Sequence, residues 1–330
     1  MRRPAKLALA LCLAALSAIP ARTQNQSPTQ SQSPPPQPPI RVQTNEVVVP
    51  VTVTDSNGEL VLDLFPRDFH IFDDGVEQKI DHWDLGGDSL AVALVIETST
   101  RAEASASDLH GFGTIFTETV MALSGEAAVI TYDSTVDVRQ PFTQDHDAVE
   151  KAISGIEFDD SRMHLYDGMA TAVDMLKDTT MHRRIMLVLG ESRDDGSKAN
   201  FGSVVREAEH ANITIYAIGA SSATRDFLAD APSLWAAPAI FLLQQGRNIS
   251  KRHDLEVATA ATGGVHYGAL RAGKLREALD DIGGELHAQY ILTYKPSSDR
   301  PGFHSIQVVV SRSGVDVRAR PGYYLAPPER

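Results

Sequence analysis

Three short stretches hold the side chains with chemistry in them: AVALVIETSTR (residues 91–101), SRMHLYD (161–167) and IMLVLGE (185–191). The first and third are apolar runs that end in a carboxylate, Glu97 and Glu191, and the second opens a helix. Such runs are buried parallel strands, and the loops leaving their carboxyl ends converge on one edge of a sheet. That edge is expected to gather Glu97, Ser99, Arg101, Met163, His164, Glu191, Arg193 and Asp194. Carboxylates, a hydroxyl and guanidinium groups make this a place for ion pairing and polar recognition. Arg101 is the right group to pair bidentately with Glu97 or Glu191, whereas Met163 offers only a soft thioether.

Catalysis finds little support in the same residues. Eleven histidines are scattered without a His-Glu-x-x-His pair, and His164 is the only one placed near the edge. There is no Gly-x-Ser-x-Gly turn, no Gly-rich phosphate loop, and no His and Asp identifiable as activating Ser99. An enzyme needs nucleophile, base and orienting group together, so the chain is read as non-enzymatic.

The elements that must position these loops follow from periodicity. Leu90–Ile96, Glu126–Tyr132, Arg184–Leu189 and Ile213–Ile218 are strands. Ser105–Ala122, Asp147–Ile156, Tyr166–Asp178, Val204–Ala211, Leu255–Ala261 and Arg271–His287 are helices. Thr262-Gly263-Gly264 is a helix stop before a short strand, Val265–Tyr267. This alternation predicts an α/β fold with a doubly wound, mostly parallel sheet covered on both faces. Both ends of the chain instead carry short β-branched runs broken by turns. They are Val47–Thr54 and Phe69–Phe72 on one side, and Gln289–Lys295, His304–Val310 and Val315–Ala319 on the other. Neither set suffices alone, so the two ends together are expected to build one β-sandwich of about seven strands.

The loop segments resemble the von Willebrand factor type A domain, as do GEAAVITYDS (residues 125–134) and ATAATGG (258–264). The flanks DFHIFDDG (68–75), QYILTY (289–294) and RPGYY (320–324) are similar to a group of secreted bacterial proteins related to that family. The resemblance implies a divalent cation held at the carboxyl edge by Asp-x-Ser-x-Ser, a Thr and an Asp, and completed by an acidic side chain of a partner. The corresponding positions here are Glu97, Ser99, Arg101, Met163 and Glu191, of which only Ser99 keeps the family's residue type. Glu97 and Glu191 each add a methylene that a six-oxygen magnesium shell does not tolerate well, and Arg101 puts a permanent cation beside it. The reading is therefore no cofactor and no metal; magnesium held by Glu97, Ser99 and Glu191 in a rearranged shell is the alternative. Arg101 either replaces the ion as a salt-bridge centre or points to solvent.

The remaining features set the context. Arg2, Arg3 and Lys6 precede an apolar run to Ile19, which reads as a signal peptide over residues 1–21. Residues 22–39 are a Pro/Gln/Ser-rich disordered linker, 40–89 and 289–326 the β-sandwich, and 90–288 the family-like domain. The protein is then exported, periplasmic or extracellular, with no later segment apolar enough for membrane insertion. Its sole cysteine, Cys12, lies in the leader. The net charge of −13 argues against nucleic acid as a partner. The partner expected is a protein, in adhesion or assembly, with self-association through sheet edges left open. A long connection, Ala220–His253, carries Trp235 and seven other large apolar residues, and either packs on the body or meets a partner.

Overall fold

The computed structural model describes residues 46–86, 89–100, 111–122, 124–158, 162–219, 253–268 and 274–325. The leader, the linker, Arg101 and the connection up to residue 252 lie outside the described residues. The central sheet has six strands in the order β10-β9-β8-β5-β6-β7. They span β5 (Leu90–Glu97), β6 (Glu126–Tyr132), β7 (Val136–Thr143), β8 (Arg183–Leu189), β9 (Ile213–Gly219) and β10 (His266–Gly268). All pairings are parallel except that of β7 with β6. Every residue of β5 is buried, as the unbroken apolar run requires of a strand covered on both faces.

Alternate side chains of the strands enter two separate cores. Ala91, Ala93, Val95, Met186, Val188 and Ile215 face the helices Leu165–Asp178, Phe201–His210 and Asp254–Thr262. Leu90, Val92, Leu94, Ile96, Leu187 and Tyr216 face the helices Phe112–Phe116 and Lys274–Ala288. The first of these runs on into a π-helical turn, Thr117–Met121, where Thr119 Oγ1 donates back to Ile115 O at 2.7 Å. Capping is local: Asn200 Oδ1 accepts from Ser203 N–H, and Gly263, at φ 84°, ends the helix Asp254–Thr262.

The two ends of the chain form the expected β-sandwich, with eight strands instead of about seven. They are β1 (Val47–Asp55), β2 (Phe69–Asp73), β3 (Val76–Gln78), β4 (Ile80–Leu85), β11 (Tyr290–Tyr294), β12 (Gly302–Val310), β13 (Val315–Ala319) and β14 (Gly322–Leu325). The sheets run β13-β1-β11-β4 and β14-β12-β2-β3. Alternating Val47, Val49, Val51 and Val53 share one core with Phe69, Ile71, Leu292, Tyr294 and Ile306. The short strands β3, β4 and β14, and the antiparallel edge β7, were not anticipated.

The sandwich meets the α/β body at the amino ends of its strands. Arg183, the first residue of β8, donates to Gln289 Oε1 at 3.4 Å, and Arg320 to Asn212 Oδ1 at 2.7 Å just before β9. Arg318 donates to Gly263 O at 2.7 Å and pairs with Glu285. The carboxyl ends of β5, β6 and β8 are left at the opposite edge, about 20 Å away for strands of this length. Among the described residues no helix is long and apolar enough to cross a membrane.

Candidate functional site

The strand order reverses direction at β5, which sits between β6 and β8, and open α/β sheets bind ligands at that point of their carboxyl edge. Glu97 ends β5 there with 2% of its surface exposed. One of its oxygens, Oε1, accepts from the Ser99 hydroxyl, and Oε2 accepts from Glu191 N–H at 2.8 Å. The first and third loops are thus joined through one carboxylate. Gly190 makes this approach possible, since a methyl group on it would lie 2.2 Å from Tyr132 Oη and 2.9 Å from Glu97 Oε2. Tyr132 Oη is buried without a hydrogen-bond partner among the described residues. Burial first, and then Glu97, Glu191 and Asp194, push its phenol far above the ordinary value and keep it protonated.

The second loop is anchored from below. His164 N–H donates to Asp133 O at 2.7 Å, and Thr98 Oγ1 donates to Asp133 Oδ2 at 3.1 Å. Asp195 N–H donates to Met163 O at 2.7 Å, which ties the third loop to the second.

With this geometry in place, residues 94–193 match the model of the von Willebrand factor type A domain. This segment is a von Willebrand factor type A domain. Among solved structures, the chain is similar to proximal thread matrix protein 1 from the mussel byssus "with zinc occupied MIDAS motif". That match has 12% identity, a TM-score of 0.45, and covers 65% of this chain and 50% of that one. It is also similar to the conserved hypothetical protein BatB from Bacteroides thetaiotaomicron, at 10% identity, TM-score 0.41, 60% of this chain and 97% of that one. A third similarity is to the vWF domain of the type V pili tip protein Mfa5 from Porphyromonas gingivalis, at 15% identity and TM-score 0.27. It covers 31% of this chain and 37% of that one. No match was found among curated proteins.

The sequence-predicted residues of the vWA edge do not all face outward. Glu97 and Ser99 are buried and bonded to each other, and the Met163 side chain is fully buried in the core. Asp194 is buried as well, and it organises the loop from inside. Its oxygens accept from Ser197 Oγ and from the N–H groups of Tyr166, Gly196 and Ser197 at 3.2–3.4 Å. It thereby occupies the amino end of the helix Leu165–Asp178, where a negative charge is favourable. His164 and Glu191 are half-buried, and Arg193 is exposed, its Nε 3.0 Å from Asp195 Oδ1. The Arg193 guanidinium therefore pairs within its own loop. Arg101 lies outside the described residues.

Several residues of the edge escaped sequence reasoning. Tyr132 reads as an ordinary core aromatic, although its place at the end of a strand followed by Asp133 signals edge position. Asp254 and Glu256 open a helix whose amino end abuts the third loop. Leu255 N–H donates to Ser192 Oγ at 2.8 Å, and the Tyr166 hydroxyl donates to Asp254. Acidic residues in a first turn were the available signal.

Proposed function

We propose that the chain is an exported, non-enzymatic protein-binding module that meets its partner through the vWA edge, where internal hydrogen bonds replace the bracing a bound ion would give. The observation that supports this is Glu97, whose two oxygens are already taken by Ser99 and by Glu191 N–H. A magnesium ion asks for about six oxygens at ~2.0–2.1 Å in near-octahedral array. The buried donor set here offers a carboxylate engaged on both sides, a hydroxyl engaged with it, and a thioether sealed in the core. These residues do not fit the ion. Arg101 is the candidate for an added positive centre among the loops.

The same bonds bear on catalysis. Ser99 is fully buried and donates to Glu97 within its own loop, which supports a role in holding that carboxylate over that of a nucleophile facing substrate. The exposed Thr100 and Arg193 and the half-buried Glu191 form the contact surface, on loops carried by a rigid sheet. The sandwich, joined at the far end of the strands, leaves that surface uncovered. Export follows from the leader read in residues 1–21.

Pull-down from envelope extract tests the reading. The wild-type chain is expected to hold the same partner with or without chelator. The variant Glu191→Lys with Arg193→Glu is expected to lose it while melting unchanged, because the brace to Glu97 uses only the backbone of residue 191. Release by chelator would establish a metal-dependent adhesion domain instead. Retention by the variant would remove the edge from the contact.

A further inference from the structure

A second convergence of charged groups lies in the sandwich, away from the vWA edge. β2 ends in Asp73, Asp74 turns the chain at φ 48°, and His304 comes from β12 alongside. Asp73 is 4% exposed, His304 is fully buried, and Asp74 is open to solvent. One donor atom from each residue points into a common space, all within 4.8 Å of one another. These are Asp73 Oδ1, Asp74 Oδ2 and His304 Nδ1, the last at 3.3 Å and 3.2 Å from the two carboxylate oxygens.

The other atom of each group is held from outside the cluster. Asp73 Oδ2 accepts from the Tyr294 and Tyr323 hydroxyls at 3.0 and 2.9 Å. Asp74 Oδ1 accepts from Ser305 N–H and Oγ at 2.9 and 3.2 Å. His304 Nε2 lies 2.6 Å from Arg300 O, a carbonyl that can only accept, so Nε2 carries the proton. Nδ1, on a fully buried side chain, then faces Asp73 Oδ1 and Asp74 Oδ2, where it either donates to them or shares a cation with them. Outer hydrogen bonds that fix the tautomer and orient each ligand are the usual support of a metal centre.

Distance discriminates between a direct bond and an inserted ion. A charge-assisted N–H···O contact is about 2.7–2.9 Å long. Two ligands on a tetrahedral zinc ion, each about 2.0–2.1 Å from it, stand about 3.3 Å apart. The two spacings from His304 Nδ1, 3.3 and 3.2 Å, match the second case. We propose that Asp73, Asp74 and His304 form a site for a divalent cation of the zinc class, with a fourth position open toward solvent. One imidazole nitrogen and two carboxylate oxygens suit that class of ion. The Arg300 guanidinium, 2.8 Å from Asp74 Oδ2 and 65% exposed, stands at the open side and competes with the ion for that oxygen.

The full chain, stripped with chelator and titrated with zinc chloride by calorimetry, tests this. One equivalent is expected to bind and raise the melting temperature. Asp74→Asn, at a solvent-facing position, is expected to weaken binding by at least roughly tenfold. Arg300→Ala is expected to tighten it, the opposite of what loss of a structural ion pair would do, and Glu97→Gln at the vWA edge to leave it unchanged. Binding that survives Asp74→Asn but is lost in Glu97→Gln would overturn the site. So would the absence of zinc binding in both the wild type and Arg300→Ala, which would leave His304 as a doubly protonated ring paired with the aspartates. None of these outcomes depends on the edge being a recognition surface.

Discussion

Glu209 shows how strongly burial acts on one side chain. It lies in the last turn of the helix Phe201–His210, 2% exposed, with Oε1 lacking a hydrogen-bond partner among the described residues. Burial pushes its carboxyl up from 4.5 to about 7, against the opposing pull of Arg320 and Arg206. The folded chain therefore holds this proton more tightly than the unfolded chain does. Between those two values the native state binds more protons, so this group's contribution to stability falls as pH rises through the interval. The loss is on the order of 1–3 kcal/mol. Glu209→Gln keeps the shape and has no proton to lose. Urea unfolding of the two proteins at about pH 5 and about pH 8 is expected to show a shallower decline for the variant. At the same scale, sequence alone identified Glu97, Ser99 and Glu191 as edge residues because each stands at or just past the end of an apolar run. It did not reveal that Asp194 turns inward or that Arg193 pairs with Asp195, since loop residues have no periodicity to say which way they point.

Between elements, the join of helix Lys274–Ala288 to the sandwich rests on a buried polar network. Glu285 pairs with Arg318 of β13 and also accepts from Tyr216 Oη at 2.5 Å and Gln289 Nε2 at 3.0 Å. Arg318→Met would strand that carboxylate, at a cost of about 3–5 kcal/mol in chemical denaturation. Adding Glu285→Leu is expected to recover much of the loss, because an apolar pair needs no solvation there. The strands that flank this join differ in how plainly they can be read. β5, β8 and β9 are unmistakable runs of buried aliphatic residues. β7 is half-exposed, interrupted by Pro141, and carries Asp137, Arg139 and Gln140, so its pattern is that of a loop until β6 offers it a partner. β3 and β14, of three and four residues, are too short for alternation to register.

For the molecule as a whole, the sandwich is the structure most dependent on distant sequence. β1 pairs with β11 in the register Val47 to Tyr294, and β2 with β12 in the register Phe69 to Val310. A chain ending after residue 300 would lose β12, β13 and β14, leaving one edge of β1 and of β2 unpaired and taking Ile306, Val310 and Tyr323 out of the shared core. It is expected to bind a hydrophobic dye and to elute as aggregates on size exclusion, while the full chain elutes as a discrete species. The α/β body closes around contacts nearer in sequence, which is why its alternation could be read segment by segment, whereas the sandwich had to be inferred from two incomplete halves.

That pairing of early strands with late ones also sets a timetable. During synthesis β1 and β2 emerge long before β11 and β12 exist, and the intervening body has every opportunity to fold first. The earliest strands must wait, edges bare, until the final stretch arrives, so closure of so large a loop is the slow and exposed step of maturation. A helper that shields nascent strands would act on residues 47–73, the part of the chain left longest without its mate.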